Sequence, residues 1–329
     1  MTSRPATIVS VCVVFRFSHA DIISDMAKKL LFLFLAIVLP ATRLLLQAQA
    51  PSHATAPPSL STEETVSVHE NVQYGMQNGQ KLLLDLYQPS GSAAHPRPAV
   101  VLIHGGAWTS FDKSTMRGMG QFLARSGFVA ISVDYRLFQG TANHWPDQLD
   151  DVQRSVRWLR SNAFKYDVNP NCIGAFGHSA GGQLAALLGM EDTRDNSDPA
   201  LAKYSSRVQA VVDVSGPSDF TTNHDPDRDA FLTNFLAADY SKHPEVWREA
   251  SPVFQVSKSS APFLIVHGAR DEDVPVAQAQ ELFEKLQQNG VQVAFVKVDD
   301  VHTFETPEAR KRLVMETLAF FNRYLVVDP

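Results

Sequence analysis

Three residues far apart in the chain have the types needed for nucleophilic chemistry: Ser179, Asp271 and His302. Ser179 lies in Gly177-His178-Ser179-Ala180-Gly181-Gly182, between an apolar run at 173–176 and an Ala/Leu-rich stretch at 184–188. The Gly-x-Ser-x-Gly pattern suits a sharp strand-to-helix turn that pushes the hydroxyl clear of the sheet. Small residues two places to either side leave room for such a turn. The helix that follows would aim its N-terminus, with its partial positive charge, at the reacting centre. The plain alternative is a glycine-rich turn with an incidental serine. A serine hydroxyl is a weak nucleophile until a base takes its proton. The usual base is a histidine, oriented by a carboxylate that also stabilises the imidazolium. His302, in Val301-His302-Thr303-Phe304, and Asp271, in Asp271-x-x-Val274-Pro275, each follow an apolar strand-like run. The rival acid is Asp273, and the rival reading of His302 is a surface-loop histidine. Asp299 and Asp300 read as solvated loop charges.

Acyl transfer also needs donors for a developing oxyanion. The backbone N–H of Ala180, directly after the serine, is one candidate. The loop Gly105-Gly106-Ala107 is the other source, with the N–H groups of Gly106 and Ala107 foremost; the plain reading is a tight turn. Trp108 reads either as a wall of the substrate pocket or as a buried packing residue. His178 sits beside the turn, where it could also touch substrate. His104 reads as a loop brace rather than a second base, and Arg136 as a brace through a salt bridge, with substrate binding as its alternative.

The elements that must position these groups alternate along the chain. Strand-like segments at 66–74 and 81–87 flank an Asn78-Gly79 turn signal and predict an antiparallel hairpin. Continuous apolar strands follow at 98–103 and 128–133, separated by a helix at 115–126. A helix after Pro146 carries Leu149, Val152, Val156 and Leu159 on one face, with Arg154, Arg157 and Arg160 turned elsewhere. Further strands are expected at 208–214, 262–266 and 291–298, with helices at 276–288 and near the C-terminus, the last carrying Val314, Leu318, Phe321 and Leu325. Residues 221–260 break the alternation and predict an insertion of short helices. The whole predicts an α/β fold: a mainly parallel sheet, an antiparallel edge hairpin and helices on both faces. Functional loops then belong at the carboxyl ends of the strands, where all the residues above fall.

The chain has 329 residues and a formal charge of −6, with no basic run that would suit nucleic acid. Its cysteines are Cys12 and Cys172, too few for a disulfide framework. No Cys/His cluster has zinc spacing, and no glycine loop has the phosphate-binding pattern. Residues 1–50 hold a Lys28-Lys29 start, an apolar run and Ala48-Gln49-Ala50, the layout of a signal peptide starting at Met26 and cleaved after Ala50. An uncleaved anchor is the alternative. Residues 51–65 read as a flexible linker, and 66–329 as the catalytic domain. A secreted or periplasmic location follows as an expectation.

Together, His104-Gly105-Gly106-Ala107-Trp108, Asp134-Tyr135-Arg136-Leu137, Gly177-x-Ser179-x-Gly181, His267-Gly268-x-x-Asp271-x-x-Val274-Pro275 and His302-x-Phe304 resemble the α/β-hydrolase esterases. The similarity is to the hormone-sensitive-lipase-like and feruloyl/acetyl-esterase-like groups, over about residues 66–325. The resemblance implies a carboxylic ester hydrolase working through an acyl-enzyme, with no cofactor and no metal. It implies Ser179 as nucleophile, His302 as general base and then acid, and Asp271 as its orienter. Short-chain or carbohydrate-linked acetyl or feruloyl esters are the implied substrates. The expected partner is a small-molecule or polysaccharide-linked ester, with no nucleic acid and no stable membrane insertion after processing. An amidase-, arylformamidase- or peptidase-like hydrolase is the alternative, and a non-catalytic binding protein a remoter one. Two departures stand out. Ala107 occupies the place of a third glycine in many relatives, and the segment before His302 lacks a glycine many of them carry.

Overall fold

The computed structural model describes residues 65–91, 93–193, 197–222 and 224–326. All of them belong to the unit Leu60–Pro329. The expected signal region, the start at Met26, cleavage after Ala50 and residues 51–64 of the linker lie outside the described residues.

The edge hairpin is present: β1 (Val66–Gln77) pairs antiparallel with β2 (Gln80–Pro89). Its turn places Asn78 and Gly79 at φ 50° and 79°, the left-handed values that a two-residue hairpin turn requires. The remaining strands are β3 (Arg97–Ile103), β4 (Val129–Val133), β5 (Val168–His178), β6 (Ala210–Val214), β7 (Phe263–Gly268) and β8 (Val293–Val298). They form one sheet in the order β1-β2-β4-β3-β5-β6-β7-β8, in which only β2 runs against its neighbours.

Helices cover both faces: α1 (Arg117–Arg125), α2 (Asp147–Ser161), α3 (Ala180–Leu188), α7 (Val276–Gln288) and α8 (Pro307–Leu325). The insertion supplies α4 (Pro226–Leu236), α5 (Pro244–Glu249) and α6 (Pro252–Gln255). The segment expected as helix at 115–126 opens with a 3-10 turn, Lys113–Met116, whose Ser114 N–H is capped by the Asp112 carboxylate and whose Lys113 N–H donates to Asp134. None of the helices among the described residues is long and apolar enough to cross a membrane.

Strand alternation divides the core into two layers. On β3, Ala99, Val101 and Ile103 face one layer, while Val100 and Leu102 face the other. The first layer takes Leu149, Val152, Val156 and Leu159 of α2 and the apolar residues of α3; the second takes Phe320, Phe321 and Leu325 of α8. The α8 face is rotated slightly from the expected one: Thr317 and Phe320 are buried, and Val314 is only partly so. The α2 arginines, off the apolar face of their helix as expected, make tertiary contacts. Arg157 is buried, and its Nε donates to the carbonyls of Leu201 and Tyr204. Arg160 binds the carbonyls of Pro170 and Arg207. The guanidinium groups thus hold the start of β5 and the β5–β6 connection by their backbone, a tertiary use that helical periodicity does not reveal.

Candidate active site

The strands β3, β5, β6, β7 and β8 run parallel, so their C-terminal loops meet at one edge of the sheet. Ser179 caps β5 with φ 57° and ψ −123°, a conformation L-residues avoid. The turn leaves no space beside it. A Cβ on Gly177 would lie 1.9 Å from the Gly181 carbonyl oxygen, and one on Gly181 would lie 2.2 Å from that of Ile103. The flanking glycines are therefore steric requirements of the turn.

The loop after β8 brings His302 to this serine. His302 Nε2 lies 2.9 Å from Ser179 Oγ, and its Nδ1 lies 2.7 Å from Asp271 Oδ2. An ionised carboxylate only accepts, so Nδ1 carries the hydrogen and Nε2 is left to accept from the hydroxyl. Asp271 Oδ1 accepts the backbone N–H groups of Val274 at 2.8 Å and Asp273 at 3.0 Å. His267, at the end of β7, adds a further contact, its Nε2 lying 3.2 Å from Asp271 Oδ2. Burial opposes the charge on Asp271, but the donors from His267, His302 and Val274 outweigh it and hold its carboxyl far below the usual range. The rival acid Asp273 is exposed and contributes its N–H to this cradle. The ligating atoms of Asp271, Asp273 and His302 lie within 4.8 Å of one another, but two of these residues already bond each other, so a cation would compete with that pair.

The loop after β3 passes directly over the serine. A Cβ on Gly105 would come within 2.9 Å of the His178 carbonyl oxygen and 3.2 Å of Ser179 Cβ. Gly106, Ala107 and Trp108 take φ of 107°, 49° and 59° in succession. A left-handed glycine costs little, whereas each left-handed L-residue costs roughly 1–2 kcal/mol. The N–H of Ala180 opens α3, where the first N–H groups of a helix have no intrahelical acceptor. His104 braces the loop as expected. It is buried and stacks on Tyr135 at 4.3 Å, and the Tyr135 hydroxyl donates to its carbonyl at 3.0 Å. Arg136 is also a brace: its Nε and Nη2 grip both oxygens of Asp151, at 2.8 and 2.9 Å.

Three sequence expectations need correction. Trp108 takes the packing alternative: it is 5 % exposed and stacks on Phe235 at 4.7 Å. His178 does not offer its Nε2 to substrate, because that nitrogen donates to the His302 carbonyl at 2.9 Å. Burial first, and then the facing His302, pulls His178 down to about 4, so it is a neutral buttress. Asp300 is not solvated. It is 1 % exposed and accepts from Thr306 N at 2.9 Å and Oγ1 at 2.7 Å, fixing the loop that carries His302. Asp299 is exposed and pairs with Arg270, as a loop charge should. The role of His267 was missed. Its only sequence signal was its place, four residues before the acid.

The BD-FAE family profile matches residues 84–286. The chain belongs to the BD-FAE family. Among curated proteins, the chain is 34 % identical over 223 residues to Esterase LipC of Mycobacterium tuberculosis, covering 65 % of this chain and 54 % of LipC. It is 28 % identical over 259 residues to Esterase LipQ of the same organism, covering 76 % and 61 %. The chain thus spans about half the length of the curated relatives it matches. Among solved structures, a truncated carbohydrate esterase from gut microbiota superposes with TM-score 0.67 at 27 % identity, covering 80 % of this chain and 97 % of that one. This BD-FAE chain therefore has the α/β-hydrolase fold of known esterases.

Proposed function

We propose that this chain is a serine-dependent carboxylic ester hydrolase. The observation that carries the reading is the continuous line from Ser179 Oγ to His302 Nε2, at 2.9 Å, and from His302 Nδ1 to Asp271 Oδ2, at 2.7 Å. Along it, Ser179 Oγ attacks the acyl carbon while His302 Nε2 takes the hydroxyl proton. The carbonyl electron pair moves to oxygen, facing the N–H groups of Gly106, Ala107 and Ala180. Collapse of this intermediate expels the alcohol, which takes the proton from His302 and leaves an acyl-serine. Water then repeats the sequence and releases the acid. Asp271 keeps its charge throughout and stabilises the imidazolium.

The names of the relatives support ester hydrolysis, and the likeness to a carbohydrate esterase supports carbohydrate-linked acyl groups as substrates. We take short-chain or sugar-linked acetyl and feruloyl esters as the substrate class, and export as the route to them. Side-by-side rates on acetyl, butyryl, octanoyl and feruloyl esters, with an amide alongside, test the reading. Ester turnover that is fastest on the acetyl or feruloyl member supports it. Turnover of the amide alone would overturn it. N-terminal sequencing of the secreted protein tests the location, with Pro51 expected first.

A further inference from the structure

We infer that Gln183 is a positioning residue for the oxyanion loop, tying the insertion to that loop through the nucleophile helix. The inference rests on the hydrolase reading and assigns the insertion a task within it. Gln183 lies on the first turn of α3, fully buried, one helical turn past Ser179. Its Oε1 accepts from the indole Nε1 of Trp108 at 3.1 Å, and its Nε2 donates to the Ala250 carbonyl at 2.8 Å. An indole nitrogen only donates and a backbone carbonyl only accepts, so these partners fix the orientation of the amide. Ala250 lies between α5 and α6. One side chain therefore spans three segments: the loop after β3, the helix that begins at the nucleophile, and the insertion.

The loop needs such a tie. Ala107 and Trp108 are both left-handed, and relaxation of either would swing the N–H groups of Gly106 and Ala107 away from the oxyanion. The Thr109 and Ser110 hydroxyls hold the Gly106 carbonyl, at 3.2 and 3.0 Å, and the buried indole resists relaxation at Trp108 itself. It stacks on Phe235 of α4 at 4.7 Å and meets Phe220 edge-on at 5.7 Å. Aromatic packing allows an indole to slide, whereas the hydrogen bond to Gln183 fixes its register. The insertion therefore serves as the anchor block of the oxyanion loop.

The test compares wild type, Gln183→Met, Trp108→Phe and the double variant on p-nitrophenyl acetate, with Tm measured for each. Trp108→Phe keeps an aromatic ring and removes the donor, so it is the milder partner. Trp247→Phe is the control, because it removes an equivalent buried indole bond, to the Ala238 carbonyl, elsewhere in the insertion. Both single variants are expected to lose about tenfold in kcat with KM within about twofold, since a displaced donor weakens the transition state more than the ground state. The double variant should fall no lower than about the worse single one, since both changes break the same Trp108–Gln183 bond and Gln183→Met alone also loses the bond to the Ala250 carbonyl. The control should lower Tm and leave kcat within about twofold. Single-variant kcat values near wild type, losses that multiply in the double variant, or an equal kcat loss in the control would each overturn the inference. Wild-type turnover is read first. Its absence removes the hydrolase reading itself, whereas turnover that survives in both variants removes this inference alone.

Discussion

Ser179 stands between two arms that solve different problems. The arm from β7 and β8, with His178 of β5 beside it, is polar and charged: Asp271 holds His302 Nδ1 and contacts His267, His178 donates to the His302 carbonyl, and Asp300 fixes the same loop through Thr306. The arm from β3 is backbone braced by rings: Gly106 and Ala107 are held by Trp108, Phe220 and Phe235, and His104 stacks on Tyr135. A group that moves a proton needs a tuned charge, so its supports are donors and acceptors. A group that stabilises an oxyanion needs only N–H vectors, so its supports are shape. The first arm should therefore respond to changes of charge at constant shape, and the second to changes of shape at constant charge.

Ser179 belongs to both arms, so Ser179→Ala sets the scale. Turnover should fall at least about 10⁴-fold, and labelling by a fluorophosphonate should disappear, with Tm retained. A folded variant that keeps most of its activity would refute the assignment.

Asp271→Asn changes charge and almost nothing else. It should cost about 10⁴-fold in kcat, because the amide can donate to His302 and favour the wrong tautomer. Asp273→Asn should stay within about threefold, since Asp273 meets the cradle through its backbone N–H. The reverse ranking would move the acid to Asp273.

Gly106→Ala changes shape and no charge. The new Cβ would sit 2.3 Å from the Ser110 carbonyl oxygen, at a φ of 107° that alanine avoids. Loss of one oxyanion donor costs about 10²–10³ in rate, and kcat should fall by that order with KM little changed. If Gly106→Ala instead moved the pH profile, the division between the two arms would fail.

The first arm was more legible in the sequence than the second. Ser179, Asp271 and His302 each follow an apolar run, and a parallel sheet sends all such ends to one edge, so strand order alone brought them to one neighbourhood. The burial of Asp300 was not legible, because two adjacent aspartates in a loop look alike until Thr306 is seen to fold back on one of them. The setting of Trp108 depends on Phe235, 127 positions later on an insertion helix, and no local period announces such a contact. The partners of Arg157 on α2 were not legible for the same reason: they are backbone carbonyls, which any sequence supplies.

The smallest effect lies at the seam between the arms. Asp213 of β6 is buried under the first turn of α3, where a Cβ on Gly182 would come 2.4 Å from its Oδ1. Burial pushes its carboxyl up to about 6, against the pull of His267 and of the Gly216 N–H, which donates to Oδ1 at 3.0 Å. A raised carboxyl pKa means that the unfolded chain loses this proton first as pH rises. Ionisation then favours unfolding from about pH 3.8 upward, and the penalty levels off above about pH 6. Two pKa units correspond to about 3 kcal/mol. Asp213→Asn keeps an acceptor for Gly216 and removes the titration. It should raise Tm at pH 8, raise it less at pH 5, and leave it unchanged near pH 3.5. A Tm gain that is the same at all three values would mean the substitution acts on packing under α3, and that no charge is stored at the seam. Because Asp213 touches neither the substrate line nor the oxyanion loop, kcat at pH 8 should stay within about threefold, which separates a stability effect from a catalytic one.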